Sequence, residues 1–222
     1  MLEKMAEFFD SRIEEYEEHQ MNAIRSAAEF YPFTASLLPQ GDQVSILDLG
    51  CGTGLELDFY YRQNPNAAVT GIDLAPGMLS ALKAKFPGKN ITLIQGSYFD
   101  IPLGHECYDA VVSVESLHHF TKKRKLSLYS KVCQALKRDG FFILTDYFAA
   151  SEKDEVFFFQ ELERLKSEQG ISDQAFYHYD TPLTAAHEMQ VLELAGFHKV
   201  EHLAQWGDTH CLRASKSSLP FY

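Results

Sequence analysis

Apolar positions along the chain follow two alternating periods, and that alternation predicts the architecture. Over residues 1–40 Ile13, Tyr16, Met21 and Ile24 recur at helical spacing among Glu14, Glu15, Glu17 and Glu18, leaving one apolar stripe on an acidic surface. Pro32 and Pro39 are expected to break this helical cap, and Gly41-Asp42 to turn the chain. Residues 44–49 (VSILDL) then form a short apolar run of the kind that makes a buried strand. The run ends in Gly50-Cys51-Gly52-Thr53-Gly54 and gives way to a helical stretch over 55–62.

The same rhythm repeats downstream. Strands are expected at 68–73, 91–95, 108–114 and 140–146, and helices at 76–85 (with its Pro in the first turn) and 122–137. Strands joined through helices imply crossover connections and a parallel sheet covered on both faces. After Asp146 the pattern changes to a helix at 151–169, an aromatic-rich connection at 170–181, and a helix from Thr181-Pro182 to a C-terminal cap at Gly196. Two last strands, 200–205 and 209–214, are separated only by Trp206-Gly207-Asp208, which forces a hairpin at the sheet edge. The whole reads as a single domain over 1–222: a cap (1–40), a core (42–150), an insertion (151–181) and a C-terminal helix with hairpin (182–214).

Composition narrows the partners. Thirty-one acidic against twenty basic residues give a net charge of -11, a surface that phosphate backbones repel, so nucleic acid is not expected. The basic run Lys122-Lys123-Arg124-Lys125 is read as a solvated helix start. The opening MLEKMAEFFD places Glu3 and Glu7 where a secretory leader carries basic residues, and no apolar run has membrane-spanning length. Cys51, Cys107, Cys133 and Cys211 show neither zinc nor disulfide spacing. These features lead us to expect a cytoplasmic protein without a membrane partner; a homodimer is left open.

Chemistry gathers at the strand ends. A strand turning into a helix through Gly50, Gly52 and Gly54 lets main-chain amides approach a ligand with no Cβ in the way. The spacing is G-x-G-x-G, with Leu55 next, and not the G-x-G-x-x-G of dinucleotide folds. Asp73, 25 residues after Asp48, closes the second strand, where a carboxylate can accept both hydroxyls of a ribose; alone it reads equally well as a helix-start residue.

LDLGCGTG, GIDLAPGML, QGSYFDIPL and YDAVVSVESLHHF, in that order, resemble the successive motifs of class I S-adenosylmethionine-dependent methyltransferases. The resemblance spans about residues 42–214 and implies an α/β, Rossmann-like, doubly wound seven-stranded sheet with an antiparallel last strand, here with an N-terminal helical cap. It implies S-adenosylmethionine as cofactor and S-adenosylhomocysteine as product. By resemblance, Gly50, Cys51 and Gly52 line the methionine part, with Asp48 behind them favouring the ammonium. Asp73 binds the ribose, Leu74 and Met78 flank the adenine, and Ser97 and Tyr98 stand at the adenine edge. Ser97 departs from the Asp that the family often carries there. Glu115 lies where methyl donor and acceptor meet.

His118 and His119 are candidate bases beside Glu115, or a helix-start pair with one ring packed inward. Being adjacent, they are expected to point apart, so no metal site is expected. Cys51 is read as a small buried filler in its side chain. The function implied is methyl transfer by in-line displacement to a small-molecule acceptor whose identity, and whose methylated atom, the sequence does not give. Tyr16, Tyr31, Tyr147, Tyr177 and Tyr179 are candidates to meet it, or else pack the sheet or an interface. The Phe176–Tyr179 segment is expected to fold over the cleft as a lid opposite Tyr16. Two alternatives stand beside this reading: a non-catalytic cofactor-binding regulator and a nicotinamide-dependent oxidoreductase.

Overall fold

A computed structural model describes residues 1–172 and 175–217; residues 173 and 174, within the aromatic connection, and 218–222 fall outside it. Three helices open the chain: α1 (Met5–Asp10), α2 (Ile13–Ala23) and α3 (Ala27–Leu37). Pro32, expected to break the cap, lies inside α3. The helix runs through it because a face of Ala27, Phe30, Tyr31, Thr34 and Ala35 is buried, outweighing one lost amide bond.

The alternating core follows as β1 (Ser45–Leu49), α4 (Leu55–Gln63), β2 (Ala68–Asp73), α5 (Pro76–Lys85), β3 (Ile91–Gln95) and β4 (Tyr108–Val114). A 3-10 turn at Leu117–His119 leads to α6 (Lys122–Ala135) and β5 (Leu136–Tyr147). Then come α7 (Glu152–Glu168), α8 (Ala185–Leu194), β6 (Lys199–Trp206) and β7 (Thr209–Ser215). The chain is α/β, with a seven-stranded sheet in the order β3-β2-β1-β4-β5-β7-β6. Strands β1 to β5 pair in parallel, whereas β7 runs antiparallel to both neighbours. The hairpin forms as expected, but its second strand inserts beside β5 and leaves β6 at the edge.

The two faces bury separate apolar layers. Phe30, Leu57 and Leu82 bring α3, α4 and α5 onto one, and Leu128, Val132 and Leu192 bring α6 and α8 onto the other. The basic run at 122–125 is solvated only in part, because Lys125 falls on the buried stripe of α6 with Leu128 and Tyr129. Lys125 is 1% exposed, and its Nζ donates to Glu188 Oε2 at 2.6 Å, while the Tyr129 hydroxyl donates to the other carboxylate oxygen.

Chain order reverses between β1 and β4, which opens a crevice at the carboxyl ends of the strands. Among the described residues no helix is long and apolar enough to cross a membrane. All four cysteines are free.

Candidate active site

The glycine loop after β1 is built from backbone that other residues resist. Gly50, Gly52 and Gly54 have φ of +74°, +47° and +73°, in the left-handed region that favours glycine. A Cβ on Gly50 would lie 2.0 Å from Ser116 Oγ, whereas one on Gly52 would point at the ring of Tyr16, 3.6 Å from its hydroxyl. The Gly52 amide donates to Asp73 Oδ2 at 2.9 Å, and the Ala75 amide donates to Oδ1 at 2.8 Å. Burial pushes the Asp73 carboxyl up, against the pull of these amides. Loop and strand tip are therefore one hydrogen-bonded unit.

Cys51 turns its side chain away from the crevice, against Gly71 of β2, where a Cβ would meet its Sγ at 2.8 Å. Burial pushes that thiol well up. Asp48 is 1% exposed behind the loop. Burial and the neighbouring Glu56 carboxyl raise it well above the usual carboxylate range, and burial raises Glu56 as well. Its Oδ2 is buried with no hydrogen-bond partner.

Gly50, Gly52, Asp73, Leu74, Met78 and Tyr98 line a narrow cleft at the β1, β2 and β4 tips. Its roof is Met5, Phe9 and Tyr16 from α1 and α2, and these side chains leave only about 40 Å³ free. Ser97 does not line it. Its Oγ accepts from the Phe99 amide at 3.1 Å and its carbonyl takes the Asp100 amide, so it starts a turn and does not face the cleft.

Past Phe9, Tyr16, Glu115 and His119, which border both spaces, a cavity of about 660 Å³ opens between α1–α2 and the β5–β7 tips. Tyr16 and Tyr147 line it as expected residues, and Phe8, Trp206 and Thr209 line it unannounced. Tyr31 does not: it is 2% exposed inside the α3 layer, its ring 4.7 Å from that of Phe30. Tyr177 sits on a bridge to Lys4, and Tyr179 presents its carbonyl to His119, so neither ring lines the cavity.

Glu115 has φ +49° and accepts from the Thr209 hydroxyl at 3.2 Å. Burial pushes its carboxyl up to about 7, and Asp146 adds to this while His118 opposes it. His118 and His119 do not point apart. The 3-10 turn, unlike regular helix or strand, brings their ring centroids to 4.0 Å, and both rings reach Asp180.

His118 Nδ1 lies 2.5 Å from Asp146 Oδ1, and Asp146 Oδ2 accepts the Leu117 amide at 2.9 Å. Burial would lower His118, but Asp146 and Asp180 outweigh it and hold the imidazole well above its ordinary value. His119 is lowered, by burial first and by His118 next. Asp180 is held far below the usual range, the two histidines outweighing its burial.

Asp180 was not singled out in the sequence, although it closes the aromatic connection just before Thr181-Pro182. Phe9 lies in the opening segment, whose helix of six residues is too short for one face to stand out in the sequence. Ser116, which packs on Gly50, carries no signal of its own.

A seven-stranded α/β sheet with glycine loop and acidic strand tip at its switch point defines the class of Rossmann-like folds. Residues 46–140 match the family described as a methyltransferase domain. The bifunctional biotin-biosynthesis protein BioHC of Teredinibacter turnerae is 28% identical over 239 residues, covering 92% of this chain but 40% of that protein. The chain thus spans about two-fifths of that relative. A carboxy-S-adenosyl-L-methionine synthase of Wolinella succinogenes is 29% identical over 218 residues, covering 92% of this chain and 88% of that one. An S-adenosylmethionine-dependent methyltransferase of Thermotoga maritima superposes with a TM-score of 0.66 at 18% identity, over 96% of this chain and 100% of that one, and shares the fold. The chain is thus similar to S-adenosylmethionine-dependent methyltransferases, with the domain match over 46–140 and the shared fold over nearly its whole length.

Proposed function

We propose that this chain moves the methyl group of S-adenosylmethionine to a small organic acceptor held in the larger cavity. The observation that carries the reading is the shared wall. The cleft of the glycine loop and a cavity of about 660 Å³ share Phe9, Tyr16, Glu115 and His119 as lining, so a donor in one lies beside an acceptor in the other. The cofactor fits the donor set. The Gly52 face has no side chain of its own, Asp73 ends at the cleft, and Leu74, Met78 and Tyr98 offer apolar walls for a flat base.

In this reading Gly50, Cys51 and Gly52 hold the methionine part through main-chain groups, with the Asp48–Glu56 pair behind them. Asp73 takes the ribose hydroxyls. The cofactor supplies an activated sulfonium methyl, and the residues supply geometry and a dry site. Proximity of this kind can lower a barrier by about 7–11 kcal/mol. Glu115, with its carboxyl near neutrality, takes a proton from an acceptor that arrives as a hydroxyl or thiol. Tyr16, Tyr147 and Trp206 give the cavity aromatic sides suited to an organic acceptor.

The free space around the glycine loop is small because Tyr16, Met5 and Phe9 occupy it. Cofactor binding therefore displaces side chains of α1 and α2, which then close over it. The test is turnover of methyl-labelled S-adenosylmethionine against a panel of small hydroxy, amino and thiol compounds. Mass spectrometry would be run in parallel on the adenosyl ligand that co-purifies. Label transfer to a panel member is expected. Tight cofactor binding without transfer to any class would favour the non-catalytic regulator instead.

A further inference from the structure

We infer that His118, His119 and Asp180 form a three-ligand site for a first-row transition-metal dication on the wall of the larger cavity. The inference rests on reading that cavity as the acceptor site. One ligand atom from each of the three lies within 4.8 Å of the others. Asp180 Oδ1 is 3.5 Å from His118 Nε2 and 3.2 Å from His119 Nδ1. Metal bonds of about 2.0–2.2 Å at tetrahedral angles put neighbouring ligand atoms roughly 3.3–3.6 Å apart, close to the 3.5 and 3.2 Å that separate Asp180 from the two imidazoles. Two imidazoles and one carboxylate are a borderline donor set, suited to zinc or iron and poorly suited to magnesium or calcium.

The surroundings are those of a held site and not of a chance ion pair. Asp146 engages His118 Nδ1 at 2.5 Å and so leaves Nε2 to face Asp180, the carboxylate–histidine arrangement that orients metal-binding imidazoles. The Asp180 segment is pinned to the histidine turn, because the Thr181 amide donates to the His118 carbonyl at 2.8 Å. His119 Nδ1 also lies 3.2 Å from the Tyr179 carbonyl, a contact that it gives up on taking an ion. Both histidines are more than nine-tenths buried, and all three residues line the cavity. An ion held there would be reached from that space, which Glu115 also lines. The acceptor class follows: a molecule whose oxygen, nitrogen or sulfur atom completes the ion's coordination while lying next to the methyl group.

The experiment uses untagged, full-length protein, stripped with a chelator and titrated with Zn2+ against a chromophoric chelator. Mg2+ serves as the hard-ion control. One equivalent of Zn2+ per chain is expected, with no competition from Mg2+. Asp180→Asn and His119→Gln are each expected to weaken Zn2+ at least about 10-fold, and Asp146→Asn about 10–100-fold through His118 orientation. Near-UV circular dichroism confirms that each variant is folded. Absence of stoichiometric Zn2+ binding by the parent chain, or unchanged affinity in both ligand variants, overturns the inference. S-adenosylhomocysteine calorimetry on the same stripped and reloaded samples separates the two readings. Unchanged nucleoside affinity with lost Zn2+ binding strikes the ion site alone, whereas lost nucleoside affinity in the parent chain strikes the cofactor assignment.

Discussion

Asp73 holds the Gly52 and Ala75 amides at 2.9 and 2.8 Å, so its carboxylate shapes the glycine loop. Asp73→Ala is expected to weaken S-adenosylhomocysteine by about 1–3 kcal/mol in calorimetry, through lost charge-assisted bonds. Unchanged affinity in a folded variant would remove Asp73 from the site. Thiol reactivity tests a second residue. Cys107 is exposed, while Cys51 and Cys211 are buried with their thiols pushed up, Cys211 to about 11. Iodoacetamide followed by peptide mapping should label Cys107 first, and fast labelling of Cys51 would contradict its orientation against Gly71. At this scale the glycines and Asp73 were legible because a backbone requirement restricts which residues can stand there. Tyr31, Tyr177 and Tyr179 lie elsewhere than expected because a ring that packs and a ring that lines a cavity look alike in sequence, and Ser97 because a hydroxyl that starts a turn looks like one that meets a ligand. The convergence of His118 and His119 was hidden by the 3-10 turn, whose geometry depends on tertiary contacts made by Asp146 and Thr181.

The element that most affects access is the α1–α2 cap. It is tied to the aromatic connection by the Met5 amide on the Phe176 carbonyl at 2.9 Å, the His178 amide on the Glu3 carbonyl at 3.0 Å, and stacking of Phe8 on His178 with centroids 3.6 Å apart. The 176–179 segment is thus attached directly to α1, with Tyr16 of α2 reached through Phe9, and the cap and the segment should respond as one. Hydrogen exchange with and without S-adenosylhomocysteine should show residues 5–23 and 175–181 gaining protection together. Protection confined to the glycine loop and strand tips would mean that the cap is a fixed wall. Periodicity gave the helices and strands of the core, since each buries one face. It did not show the cap as three separate helices, because the breaks at Ser11–Arg12 and Ile24–Ser26 carry neither Gly nor Pro, while Pro32 is tolerated inside a packed helix.

Across the molecule, the Lys125–Glu188–Tyr129 cluster joins α6 to α8 under the sheet without an exposed partner. Removing one member leaves a buried charge, so Lys125→Ala should lower unfolding stability by about 3–5 kcal/mol in urea. Lys125→Met with Glu188→Leu should recover most of that loss, and a single variant costing under about 1 kcal/mol would contradict the burial. Sheet order and hairpin follow from local rules of crossover and turn length. The buried cluster does not, because a charged residue on a helix reads as solvated until its partner helix is placed. The account as a whole stands on a nucleoside cofactor held at the β1–β2–β4 tips and facing the larger cavity. It is tested most directly by calorimetric titration of S-adenosylhomocysteine and NADH into the parent chain and Gly52→Val, whose Cβ would enter the cleft at φ +47°. The account predicts one saturable site for S-adenosylhomocysteine in the parent chain, none for NADH, and loss of binding in Gly52→Val with helical circular dichroism retained. Saturable NADH binding, or full affinity for S-adenosylhomocysteine in Gly52→Val, would contradict it.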